Sequence, residues 1–148
     1  VIDYPTLEEE KQIVRAHVKS SFVTPTPVID TDRIIKAREL VKQVYVDERI
    51  EQYVTDLVFA TRVPEKYGLA KIKDYIAFSA GPRASINLAL AARACAFIKR
   101  RGYVVPEDVR EVAADVLRHR IGLSYEAEAA NVKSEDIIRE LINKVEVP

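Results

Sequence analysis

The stretch FSAGPRASINLALAARACAFIKRRG, residues 78–102, decides the fold. Gly81 is an acceptable N-cap, and Pro82 suits a first helical position because its φ is fixed and it needs no amide partner. The helix predicted from there runs from about Pro82 to Arg101, with Gly102 as its left-handed stop. Ala84, Ile86, Leu88, Leu90, Cys95, Phe97 and Ile98 spread around most of its circumference. A helix apolar nearly all round is a central, buried one. The alanines at 89, 91, 92, 94 and 96 let neighbouring helices approach closely.

Working outward, helical signals dominate on both sides. Thr6 and Glu9 make a capping box that opens a first helix over about 7–19. The prolines at 25 and 27 make 21–29 an extended connector. Asp30, Thr31 and Asp32 offer caps for a second helix, with Ile34, Ala37, Val41 and Val44 at helical period. Asp47 starts a third, lined by Ile50, Tyr53, Val54 and Leu57 and closed by Arg62, Pro64 and Gly68. Residues 69–78 fit either a short helical turn or an extended lead. After an extended Tyr103-Val104-Val105, Pro106 opens another helix, with Val109, Val112, Ala113 and Val116 as its stripe. Residues 122–133 read as a loop, and Ser134 caps a last helix carrying Ile137, Ile138, Leu141, Ile142 and Val145. The expected fold class is all-α, a bundle of about six helices joined by short extended links.

Bulk properties fit this. Apolar residues make 48% and charged residues 31% of the 148, which reads as soluble and globular. Lys plus Arg and Asp plus Glu are both 23. That balance argues against generic nucleic-acid binding, which leaves a basic footprint. Cys95 is the single cysteine and sits in an apolar run, as a small buried hydrophobe does. One cysteine and two distant histidines give no metal-ligand spacing. No stretch is long and apolar enough for a membrane span. The chain opens on Val1 and contains no Met, so the expectation is a piece of a longer protein in a reduced, cytoplasmic setting.

Arg83 is the anomaly. It lies in a first turn, where the helix dipole disfavours a cation by a few tenths to about 1 kcal/mol. At about 100° per residue, Ser85, Arg93, Lys99 and Arg100 share one sector, the expected solvent stripe. Arg83 and Asn87 lie opposite, toward protein or a cleft. Two readings follow from spacing: an ion pair with a carboxylate elsewhere in the chain, or an arginine facing a bound anion such as a phosphate. The clusters Lys99-Arg100-Arg101 and Arg118-His119-Arg120 each complement a helix C-terminus. A contact with a neighbouring subunit is the other reading. A helical nucleic-acid binder using both clusters is a weaker third possibility.

Longer strings change the weighting. Tyr4-Pro5-Thr6-Leu7-Glu8-Glu9-Glu10, Thr61-Arg62, Pro82-Arg83-Ala84-Ser85, Tyr103-Val104-Val105-Pro106-Glu107-Asp108-Val109 and Val116-Leu117-Arg118-His119-Arg120 occur in an order and spacing that resembles the C-terminal helical lid subdomain of MoxR-type AAA+ ATPases. The likeness covers nearly the whole chain. The family's turn is close to Gly-Ala-Ser-Pro-Arg-Ala. Here Ser79-Ala80-Gly81-Pro82-Arg83-Ala84 exchanges Gly and Ser without moving the arginine. The resemblance implies that Arg83 is a sensor 2 arginine, with Gly81, Pro82 and Asn87 beside it at the nucleotide. It further implies ATP and Mg²⁺ as cofactors of the parent protein, and the parent's own N-terminal ATPase subdomain as a partner, with residues 1–6 its exit. Neighbouring subunits of a homo-oligomeric ring would meet Arg118, His119, Arg120 and Arg62, a place near the nucleotide being the other reading of Arg62. A von Willebrand A domain protein is a further implied partner, and chaperone-like remodelling the implied activity. No G-x-x-x-x-G-K-[ST] string and no Walker B-like strand occurs in the chain, so alone it is expected to be inactive on ATP. The alternative is a stand-alone helical interaction module with no nucleotide role.

Overall fold

The computed structural model describes residues 4–19 and 24–148. The expected exit segment 1–6 and connector 21–29 therefore lie partly outside the described residues. The chain divides into two compact units, Val1–Ile34 and Ile35–Pro148. In the first, α1 (Leu7–Val18) opens on the predicted capping box. The Glu9 amide donates to Thr6 Oγ1 at 3.4 Å, and the Thr6 amide donates to Glu9 Oε2 at 2.8 Å. None of its residues is buried. Helix α2 (Thr31–Val41) starts at Asp30, whose carboxylate accepts from the Arg33 amide at 2.7 Å.

The second unit holds the core. Helix α3 (Glu48–Ala60) is capped by Asp47, which accepts from the Arg49 amide at 3.0 Å. Two 3₁₀ turns follow, Pro64–Tyr67 and Ala70–Tyr75, separated by Gly68 in the left-handed region at φ 70°. Strand β1 (Ile76–Phe78) then leads to α4 (Pro82–Ile98) and α5 (Pro106–Leu117). Strand β2 (Gly122–Leu123) pairs antiparallel with β1, Ile76 opposite Leu123 and Phe78 opposite Gly122. Helices α6 (Tyr125–Ala129) and α7 (Ser134–Lys144) complete the unit. So 69–78 is both of the expected things in succession, a helical turn and then an extended lead.

Helix α4 is central, as its composition requires. It packs on α3 and α5, and α5 packs in turn on α7. Ala84, Leu88, Ala92 and Ala96, spaced by one turn, have no exposed surface. They meet a core that includes Leu57, Val109, Ala113, Leu117 and Leu141. Small residues along that edge bring the axes close, and Leu88 fills the space between. Truncating a buried leucine of this kind costs about 2–5 kcal/mol.

Three local expectations are corrected. Helix α4 stops at Ile98, and the left-handed residue is Arg100 at φ 60°, not Gly102. The Arg100 amide bonds the Phe97 carbonyl and the Arg101 amide bonds the Ala96 carbonyl, each at 2.9 Å. That is a Schellman closure with arginine where glycine is usual. The predicted loop 122–133 contains β2 and α6. Ser124 makes α6 possible by accepting from the Ala127 amide at 3.2 Å while donating to the Asp74 carbonyl at 2.6 Å. Ser134 is the first residue of α7 rather than its cap, and Asp136 accepts from the Lys133 amide there at 3.1 Å.

Candidate functional site

The start of α4 is assembled from three elements. Gly81 is its N-cap with φ −91° and ψ 179°, an extended conformation open to any residue, and no side chain bonds the first-turn amides. Pro82 occupies the first helical position. Arg83 follows, exposed, and no carboxylate among the described residues pairs with it. Among the seven α-helices described, α4 alone has no acidic residue in its first turn.

The outward face of α4 differs from the expected one. Arg83 and Asn87 are exposed, together with Ile86 and Leu90, whereas Ser85 and Arg93 are half-buried. The predicted solvent stripe is thus half-covered at Ser85 and Arg93 and open at Lys99 and Arg100. The cause is visible in the composition: apolar residues on every side give the helix almost no directional signal, and the alanine edge wins the core because it packs closest. The corrected face places a free cation, an amide side chain and two bare aliphatic side chains on one surface. The ion-pair reading of Arg83 finds no partner carboxylate among the described residues.

Ser79–Gly81 is held from the end of α3. The buried Thr61 hydroxyl donates to the Val58 carbonyl at 2.7 Å and accepts from the Ala80 amide at 3.1 Å. Arg62 Nε donates to the Ala80 carbonyl at 2.9 Å, and its guanidinium lies 5.5 Å from the centre of the Phe59 ring. A polar cleft of about 640 Å³, lined in part by Thr61, Arg62, Lys73, Asp74 and Ser79, opens beside this turn. The sequence marks Thr61-Arg62 as a helix end and a family-matching pair, not as a contact to the turn before α4. No periodicity signals a contact to a residue 18 or 19 positions later.

In the two basic clusters, Lys99, Arg101 and Arg118 are committed to carboxylates within the chain, and Arg100 is exposed. Arg101 grips the wholly buried Asp108 with two nitrogens, Nη1 to Oδ2 at 2.7 Å and Nη2 to Oδ1. Lys99 reaches Asp108 at 3.2 Å and also pairs with Glu111. Burial pushes the Asp108 carboxyl up, but Arg101, the Val105 amide and Lys99 outweigh it and hold the group down at about 2. The helix-end cluster is thus an ion network tying α4 to α5. Arg118 pairs with Asp115 at 2.8 Å and Glu135 at 2.9 Å, joining α5 to α7. His119 is exposed, and Arg120 is half-buried with its Nε lacking a partner. Cys95 is buried and its thiol is pushed up, chiefly by burial. Among the described residues, no group of three or more His, Cys, Asp or Glu could hold a metal ion, and no helix is long and apolar enough to cross a membrane.

The stretch that carries the second 3₁₀ turn, the two-stranded pair and the central helix matches the AAA lid domain over residues 70–141. The chain is 37% identical over 150 residues to Chaperone MoxR1 of Mycobacterium tuberculosis, covering 99% of the chain and 39% of that protein. It is 33% identical to the YeaC protein of Bacillus subtilis, covering 98% of the chain and 43% of that protein. A solved structure from Cytophaga hutchinsonii, assigned as an ATPase, superposes with a TM-score of 0.84 at 38% identity over 99% of the chain and 45% of its own. The chain therefore belongs with the helical lids of MoxR-type AAA+ ATPases. It spans about two fifths of the length of the curated relatives it matches.

Proposed function

We propose that the chain is the nucleotide-sensing lid of a chaperone-like AAA+ ATPase, with Arg83 as its sensor 2 arginine. One observation carries this reading. Arg83 is an exposed cation in the first turn of a helix, with no carboxylate among the described residues to neutralise it. A free arginine placed there is disfavoured by the helix dipole until an anion arrives. A polyphosphate meets both the guanidinium and the first-turn amides, which no side chain caps. Gly81 and Pro82 allow close approach of that anion, and Asn87 stands one turn further along the same exposed face.

The nucleotide and its Mg²⁺ would be held by a large subdomain, because no phosphate-cradling glycine loop occurs in these residues. A bound ATP supplies the phosphoryl group and the charge to be stabilised. Arg83 would touch that charge only with the lid closed, so lid orientation reports which nucleotide is present. The bare Ile86 and Leu90 beside it suit a face covered in the complete protein. Ring neighbours and a von Willebrand A domain protein are the partners this role implies, with His119 and Arg120 as the polar side chains left for an intersubunit contact. The test is ATP turnover in the full-length protein. Arg83→Ala lowers it while the helical fold is retained; unchanged turnover rejects the assignment.

A further inference from the structure

We infer that Thr61 and Arg62 are positioning residues for Arg83, acting through the backbone of Ala80. The inference rests on the sensor reading of Arg83. Ala80 is buried and lies three residues before Arg83. Both of its main-chain polar groups are held by consecutive residues at the end of α3: its amide by Thr61 Oγ1, its carbonyl by Arg62 Nε. Gripping both ends of one residue fixes the turn in position and in rotation. The Thr61 proton is already committed to the Val58 carbonyl, so the hydroxyl presents a lone pair to Ala80. The Arg62 side chain is kept over Phe59, which orients its Nε.

Nothing else polar anchors this entry. No side chain caps α4, and Ser79 and Gly81 are exposed. The axis of α4 is set by Ala84, Leu88 and Ala92 in the core. What the clamp adds is the placement of the first turn, two residues after the extended Gly81. A charge-stabilising group loses much of its effect when displaced by about 1 Å. Arg62 thereby acquires a role inside the chain, distinct from a contact with a neighbouring subunit.

Steady-state ATP turnover of the full-length protein tests this, with Thr61→Val, Thr61→Ser, Arg62→Gln and Arg83→Ala measured singly and the first and third also combined with Arg83→Ala. Thr61→Val and Arg62→Gln should each lower kcat by about tenfold, with KM for ATP changed far less. Thr61→Ser keeps the hydroxyl and should stay near wild type. Combined with Arg83→Ala, neither should lower kcat further by more than about twofold, because each acts through the missing side chain. Wild-type kcat in Thr61→Val and Arg62→Gln, or losses that multiply in the Arg83→Ala background, overturns the inference. Wild-type turnover in Arg83→Ala alone instead rejects the sensor reading beneath it. Arg62→Gln, on an exposed side chain, keeps the test decisive if Thr61→Val weakens the fold.

Discussion

Arg101 commits its charge to a buried carboxylate, whereas Arg83 pairs with no carboxylate among the described residues. The difference has measurable consequences. Asp108 has a folded pKa of about 2, below the ordinary value of 3.8. A depressed carboxyl contributes stability that is complete above the unfolded pKa and lost as pH falls through the folded one. Between about pH 4 and pH 2 the fold should therefore lose on the order of 2 kcal/mol from this group. Chemical denaturation at stepped pH measures it, and Asp108→Asn should flatten that part of the profile. The same substitution should cost about 3 kcal/mol at neutral pH, because Arg101 is left partly buried without its partner. By sequence position Asp108 is an acid in the first turn after Pro106, favoured by a helix N-terminus, and Lys99 and Arg101 are bases favoured by a C-terminus. Both readings are locally correct. Neither reveals that the two ends meet, because the link is set by how α4 and α5 pack.

At the scale of elements, the existence of each long helix is legible, and so is the inner face of α3 and α7, where Ile50, Tyr53, Val54 and Leu57, and Ile137, Ile138 and Leu141, are buried as their spacing requires; the orientation of α4 is not. Caps and prolines mark the starts: Thr6, Asp30, Asp47, Pro82 and Pro106 all stand where the structure uses them. The outward face of α4 was misread because Ile86 and Leu90 are as apolar as Leu88, and only packing distinguishes them. Helix α6, of five residues, is too short to show a period. The β1–β2 pair joins segments more than 40 residues apart, a contact that local pattern cannot carry. The end of α4 yields a further prediction. Arg100 holds the left-handed position that glycine occupies at less cost. Arg100→Gly should raise stability by about 1 kcal/mol, read as a higher midpoint in urea with an unchanged slope. A lower midpoint would mean that the Arg100 side chain contributes more than its backbone costs.

At the scale of the molecule, the residues form a helical lid and lack the loop that cradles phosphate. The isolated chain should show no ATP turnover above buffer. Three cations of its basic clusters are also neutralised, Lys99 and Arg101 by Asp108 and Glu111, Arg118 by Asp115 and Glu135. Binding to DNA or RNA should accordingly be weak, without the steep salt dependence that many phosphate contacts produce. A titration at two salt concentrations checks this, and tight, salt-steep binding would revive the nucleic-acid reading. The resemblance visible in five short strings extends over 99% of the chain in the relatives, so the class was legible early. The exposure of Arg83 was not, and it is the feature on which the nucleotide-sensing role depends. The most direct measurement is the ATP turnover of the full-length protein carrying Arg83→Ala. Loss of a single preorganised charge contact predicts a fall of about 10²-fold, with thermal unfolding shifted by no more than a surface substitution allows, about 0.5 kcal/mol. Wild-type turnover in a folded Arg83→Ala protein would contradict the account.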